Sequence, residues 1–139
     1  MRKTNIFEKT FASIINILIV ILIYTPIYFL ISSLLYKKII LIMIFFIYAL
    51  IFAMSNKGRD FGMIIIGTYW KENYPLKNHI IYSILYTLSF STLFFHFYFP
   101  FDLFLFNLMF LQLPLIAISG TTLHGYLSGK MVTVKPNKF

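Results

Sequence analysis

Four long apolar stretches divide the chain, and its charges fall almost wholly between them. Residues 10–36, 39–56, 78–101 and 103–129 contain no Asp, Glu, Lys or Arg. A helix needs roughly 20 mostly apolar residues to cross a hydrocarbon core of about 30 Å. Three of the runs meet that length, and the second meets it if Lys38 snorkels its ammonium to the interface. The pattern predicts membrane helices over residues 11–36, 39–54, 79–99 and 103–119. The first run is too long for the apolar region of a signal peptide, so it is expected to stay as a helix. Pro26 should kink it. Tyr36, Lys37 and Lys38 should make a short turn that reverses the chain. Ala49 and Ala53 share a face on which two backbones can approach closely. Near the far end of the third helix Pro100 breaks the pattern, and Asp102 is placed to cap the fourth. Asn107 and Gln112 of that helix are five residues apart, about 140° around an α-helix, and so are not expected to form one site.

The least oily stretch is 55–77, SNKGRDFGMIIIGTYWKENYPLK. Gly58 is a natural helix stop. The residues predict a helical turn near 59–64 and then a strand near 65–71, where β-branched and aromatic side chains dominate. Trp70, Tyr69 and Tyr74 suit a headgroup layer. The tail, residues 120–139, holds a second β-rich run at 131–135, which is expected to pair with the first. The fold expected is an all-α membrane protein: a four-transmembrane-helix bundle with a small cytoplasmic interfacial β-element, all in one domain spanning 1–139.

Charge sets the orientation. Arg2, Lys3 and Lys9 precede the first run; Lys57, Arg59, Lys71 and Lys77 lie in the middle; Lys130, Lys135 and Lys138 lie in the tail. Only Lys37 and Lys38 fall on the other side. The positive-inside rule then puts both termini in the cytoplasm of a cell (inner) membrane. The net charge of +8 is explained by this asymmetry, and nucleic acid is not an expected partner. With no cysteine in the chain, disulfides, thiolate catalysis and Cys-based metal sites are excluded.

Three pieces resemble, in order, the RDD family of small multi-pass membrane proteins: KTFASIIN at 9–16, the glycine-punctuated 55–76, and LHGYLSGKMVTV at 123–134. The positions carrying the resemblance are Lys9, Asn16, Gly58, Arg59, Asp60, Gly62, Gly67, His124 and Gly129. Lys9 stands where the family has arginine, Asn16 and Gly125 where it has aspartates, Met63 where it has lysine, and Lys130 where it has threonine. The resemblance implies the family's fold. Lys9 keeps a cation but not a bidentate fork, and Asn16 bonds like a protonated Asp but cannot titrate. The pair can hold helices together; it cannot relay protons.

Candidate chemistry is sparse. Asp60 and His124 flank helix ends and can meet on one face, as a hydrogen-bonded or solvated pair or as a dyad. His79, Ser83, Thr87 and Ser91 recur every four residues, and the Ser83, Thr87 and Ser91 stripe suits helix packing or, alternatively, a hydrophilic path. No enzyme motif is present and no cofactor or metal is expected. The expected role is a scaffold or accessory subunit acting through helix packing in the bilayer, with itself or a larger membrane protein. The alternatives are a small oligomeric cation transporter or antiporter-like protein and, behind it, a membrane enzyme.

Overall fold

The computed structural model describes residues 1–137, so Lys138 of the basic tail lies outside the described residues. The order of elements is β1 (Arg2–Lys3), α1 (Ile6–Tyr28), α2 (Leu34–Met54), α3 (Phe61–Ile66), β2 (Tyr69–Trp70), α4 (Leu76–Ser91), α5 (Asp102–Ser119), α6 (Leu123–Leu127) and β3 (Thr133–Lys135). Three of these helices, α1, α2 and α5, are long and apolar enough to cross a membrane.

Helix α1 begins five residues before the expected start. A reciprocal cap explains this: the Glu8 N–H donates to Asn5 Oδ1 at 2.9 Å, and the Asn5 N–H donates to Glu8 Oε2 at 3.0 Å. The uncharged run marks the apolar part of the helix, whereas the cap marks its start. The helix also ends early, at Tyr28, two residues beyond Pro26. The chain turns over residues 29–33, and not at Tyr36, Lys37 and Lys38, which lie in the first turns of α2. Cations at a helix N-terminus oppose its dipole. Here Lys37 Nζ sits 3.7 Å from the centre of the Tyr28 ring, and Lys38 Nζ donates to the Phe94 carbonyl at 2.9 Å. These contacts hold both ammonium groups at that end of the molecule.

The core lies between α1, α2 and α4, where Val20, Tyr24, Leu41, Phe45, Tyr48, Tyr86 and Phe90 are buried together. Phe45 stacks on Phe90 at 4.1 Å and meets Tyr86 edge-on at 5.1 Å. The Ser83 hydroxyl reaches the Ala49 carbonyl across the α2–α4 seam at 3.3 Å. Ser83 and Thr87 are buried in α4, while the Ser91 hydroxyl bonds back to the Leu88 carbonyl of its own turn. Helix α4 stops at Ser91, well short of residue 99. Its 16 residues span about 24 Å, and the chain continues to Asp102 in irregular turns. Asp102 is the first residue of α5 and not its cap; Phe101 holds the cap position at φ 66°. The Asp102 carboxylate instead gathers the N–H groups of Phe97, Tyr98 and Leu103, fixing the turn before the helix.

In the 55–77 stretch the helix wins more ground than expected. Asp60 caps α3 by accepting the Met63 N–H at 2.7 Å, and Gly67 ends it in the left-handed region at φ 73°. Ile64, Ile65 and Ile66 therefore fall in α3 despite their strand preference, leaving only Tyr69–Trp70 extended. Gly58 does not stop α2, which ends four residues earlier at Met54; it closes a separate 3-10 turn, Asn56–Gly58. The expected pairing of the two β-rich runs is present, with Tyr69 opposite Val134 and Trp70 opposite Thr133. A third strand had no signature in the sequence pattern: Arg2 pairs with Lys135 and Lys3 with Val134. β3 is thus the middle of an antiparallel sheet ordered β1-β3-β2, which joins the start, middle and end of the chain at one end of the helices.

Helix α3 packs on α1 through Gly62, where an added Cβ would overlap the Ala12 carbonyl. Gly62→Ala is expected to destabilise the protein by about 2–4 kcal/mol, from steric overlap with backbone and the hydrogen bond it displaces. Gly67→Ala, whose side chain would meet open space, should cost only about 1–2 kcal/mol for its left-handed backbone. Thermal unfolding of the two variants in detergent checks the order.

Candidate functional site

Lys9, Ser13 and Asn16 of α1 are separated by four and three residues, spacings that set them on one helical face. That face meets α3, α4 and α6 around a cavity of about 50 Å³ at the sheet end of the bundle. Lys9 and Asn16 of α1, Asp60 at the cap of α3 and His124 of α6, widely spaced in sequence, all line it.

Asn16 is the best-connected side chain in this region and is fully buried. Its Oδ1 accepts from the Tyr48 hydroxyl at 2.7 Å and from the Gly62 N–H at 2.8 Å. Its Nδ2 donates to the Tyr86 hydroxyl at 3.4 Å, and Asp60 lines the same cavity. Tyr86 passes the chain on to the Ser13 hydroxyl at 3.0 Å. One amide therefore ties α1 to α2, to α3 and to α4.

Asp60 is held in place rather than exposed for chemistry. Burial pushes its carboxyl pKa up, against the opposing pull of the Met63 N–H, the Asn16 amide and the Arg59 charge. Arg59 itself donates to the Thr68 carbonyl at 3.0 Å and lies 3.9 Å over the Tyr69 ring. Gly58 presses against the His79 ring, and its carbonyl accepts the Trp70 indole N–H at 2.8 Å. Gly67 ends α3, and Gly129 packs on the Asn78 amide.

His124 lies in α6 with 7% of its surface exposed. Its ring stacks on Tyr86 at 4.9 Å and meets Tyr82 edge-on at 4.8 Å. Burial, helped by the Lys9 charge, brings its pKa down to about 3, so the imidazole is neutral at physiological pH. Its Nδ1 is buried without a hydrogen-bond partner among the described residues. Asp60 and His124 share the cavity without bonding each other directly. Gly125, where the resembling family has aspartate, has no room for a larger side chain: a Cβ would overlap Thr121 Oγ1, which is already bonded to the Met131 carbonyl. Among the described residues, no three of His, Cys, Asp and Glu are placed to hold a metal ion.

A second polar cluster contradicts the expectation for α5. Asn107–Gln112 is a π-turn, and its wider winding brings Asn107 and Gln112 face to face. Gln112 Nε2 donates to Asn107 Oδ1 at 3.2 Å, Asn107 Nδ2 donates to Ser89 Oγ at 2.7 Å, and Gln112 Oε1 accepts the Leu123 N–H at 3.0 Å. The residue after this turn is Leu113, followed by Pro114, which lacks the N–H an α-helical turn would use. Sequence reasoning that assumed 100° per residue could not see the pair. It also left Ser13, Tyr48, Tyr82 and Tyr86 out of the site, although the spacing of Lys9, Ser13 and Asn16 carried the signal for the first of them.

Two outcomes follow. Asn16→Leu fills the same space but orphans the Tyr48 hydroxyl and the Gly62 N–H, and should cost about 3 kcal/mol or more in detergent unfolding. The second concerns pH. His124 folds neutral, while an unfolded imidazole gains a proton below its ordinary 6.5, so between about 3 and 6.5 the unfolded state binds more protons and stability rises with pH. Asp60, its folded pKa raised, contributes the opposite slope above its ordinary 3.8. His124→Phe removes the rising limb alone. Its stability relative to the natural protein should grow steadily as the pH falls from 7 to about 4.5, read from melts across that range.

No protein-family model, curated protein or solved structure matches the chain.

Proposed function

We propose that the chain is a multi-pass integral protein of the cell membrane with an RDD-like fold, serving as a scaffold or accessory subunit that acts through helix packing. The observation that carries this reading is how the polar side chains of the helices are used. Asn16 joins four elements, and Asn107 and Gln112 join α5 to Ser89 of α4 and to the start of α6. In hydrocarbon such amides serve as interhelical glue. The outer surface is correspondingly apolar. Only 11% of α5 is buried within the protein, and Phe106, Met109, Phe110 and Ile118 face outward. Helix α4 makes the fourth crossing with help from the irregular chain up to residue 101, a short span of the kind that thins or distorts the bilayer around it. The sheet, with the basic residues beside it, then lies on the cytoplasmic side.

A second reading, a small oligomeric cation transporter, is favoured by one feature: the Asp60 carboxyl lining a polar cavity against α1.

The absence of cysteine makes the topology easy to test. Asn73→Cys should react with a membrane-impermeant maleimide only after the cells are opened, and Tyr98→Cys should react in intact cells. The opposite pattern would overturn the orientation. In mild detergent the scaffold reading expects a stoichiometric membrane-protein partner or a stable homo-oligomer, and no cation flux from the purified chain in proteoliposomes. Flux that is altered by Asp60→Asn, with no partner, would replace it with the transport reading.

A further inference from the structure

Two spaces in the protein share a wall. One is the polar cavity beneath the sheet. The other is a crevice of about 190 Å³ between α1, α4 and α5, lined along its length by Ile14, Ile17, Phe90, Leu93, Phe104 and Leu108. Lys9, Ser13, Tyr86, Thr122 and His124 border both. The polar groups midway along the crevice, Ser89, Asn107 and Gln112, are bonded to one another and leave the wall effectively apolar.

The shared end is different. The Lys9 ammonium donates to Thr133 Oγ1 at 2.8 Å, and among the described residues no carboxylate pairs with it, Glu8 being taken by Arg2 and Lys135. Beside it lies His124 with its unpartnered, buried Nδ1. A partly buried cation whose partner is a neutral hydroxyl, next to an unsatisfied imidazole nitrogen, is an incomplete arrangement that an anionic oxygen would complete. From Lys9 the crevice runs along α1 to Ile17, about 12 Å further into the apolar layer. The whole is therefore complementary to an amphiphile: a cation and an imidazole at the sheet end, to meet an acidic head, and apolar walls beyond.

We propose that this crevice holds one acyl chain of an anionic membrane lipid, with its acidic head group bound by the Lys9 ammonium and the His124 imidazole. The site rests on the membrane reading above but not on the scaffold role. It would give the bundle a fixed lipid between α5 and the other helices.

The test uses the full chain purified in an uncharged detergent, with native mass spectrometry and thermal melts in phosphatidylglycerol, phosphatidylcholine of the same chains, or inorganic phosphate. One phosphatidylglycerol should stay bound and raise the melting temperature, while the other two should not. Lys9→Gln and His124→Phe should each weaken phosphatidylglycerol binding about tenfold or more. Lys37→Gln, at the opposite end of the helices, should leave it unchanged. Leu93→Trp, which fills the crevice without touching the charged end, should abolish retention and so provides an arm independent of Lys9. Equal binding of the two lipids, equal protection by phosphate, or unchanged affinity in the Lys9, His124 and Leu93 variants would overturn the proposal. Partition of the protein into the membrane fraction is scored separately, so a failure of the membrane reading is not confused with a failure of the lipid site.

Discussion

The arrangement depends on one buried amide. A polar group buried among apolar side chains has few partners to choose from, and leaving it unpaired costs several kcal/mol. Asn16 settles that cost in a way that fixes four elements relative to one another. Its oxygen takes a donor from α2 and one from α3, and its nitrogen reaches α4. Gly62 is what lets α3 come close enough to deliver its N–H, because the Ala12 carbonyl occupies the space a side chain would need. The position of α3 then sets where β2 leaves it, and β2 sets where the tail strand can pair. An uncharged group suits this role: an aspartate at the same place would face Asp60 across a single amide's width and would have to share a proton with it.

The apolar runs made the helices legible, because length and absence of charge report directly on which segments are long and apolar enough to cross a membrane. Helix ends were harder. The cap at Asn5 and Glu8, the early stop after Pro26, and the placing of Lys37 and Lys38 in α2 depend on local bonds and cation–π contacts that hydropathy does not register. The β-rich look of residues 64–66 was a true propensity that lost to a capped N-terminus and a left-handed glycine. Pairing of the middle and tail strands was readable, since both runs were expected on the same side. The two-residue strand at Arg2–Lys3 was not, because so short an element carries no periodicity.

For the site, the positions picked out by resemblance included four that line one cavity, Lys9, Asn16, Asp60 and His124. What the sequence could not supply was their environment. The depressed pKa of His124 comes from burial against Tyr82 and Tyr86, contacts made only when α6 folds back on α4. The partnership of Asn107 with Gln112 was ruled against by α-helical geometry and arises because the helix is locally wound more loosely just ahead of Pro114. Both are cases in which tertiary structure altered the premise from which the local reasoning began.

The order of the strands has a temporal consequence. β3 is the last element along the chain, yet it is the middle strand, and β1 and β2 touch only it. During vectorial synthesis neither of those strands has a neighbour to bond until every helix has already been made. Their backbone groups must be satisfied by water in the meantime. The sheet therefore cannot guide the formation of the helices; it acts afterwards, as a latch that closes on helices already in place. Pairing Arg2 with Lys135 also means that the closing step spans nearly the whole sequence, the most non-local contact such a chain can make and the one expected to form slowest.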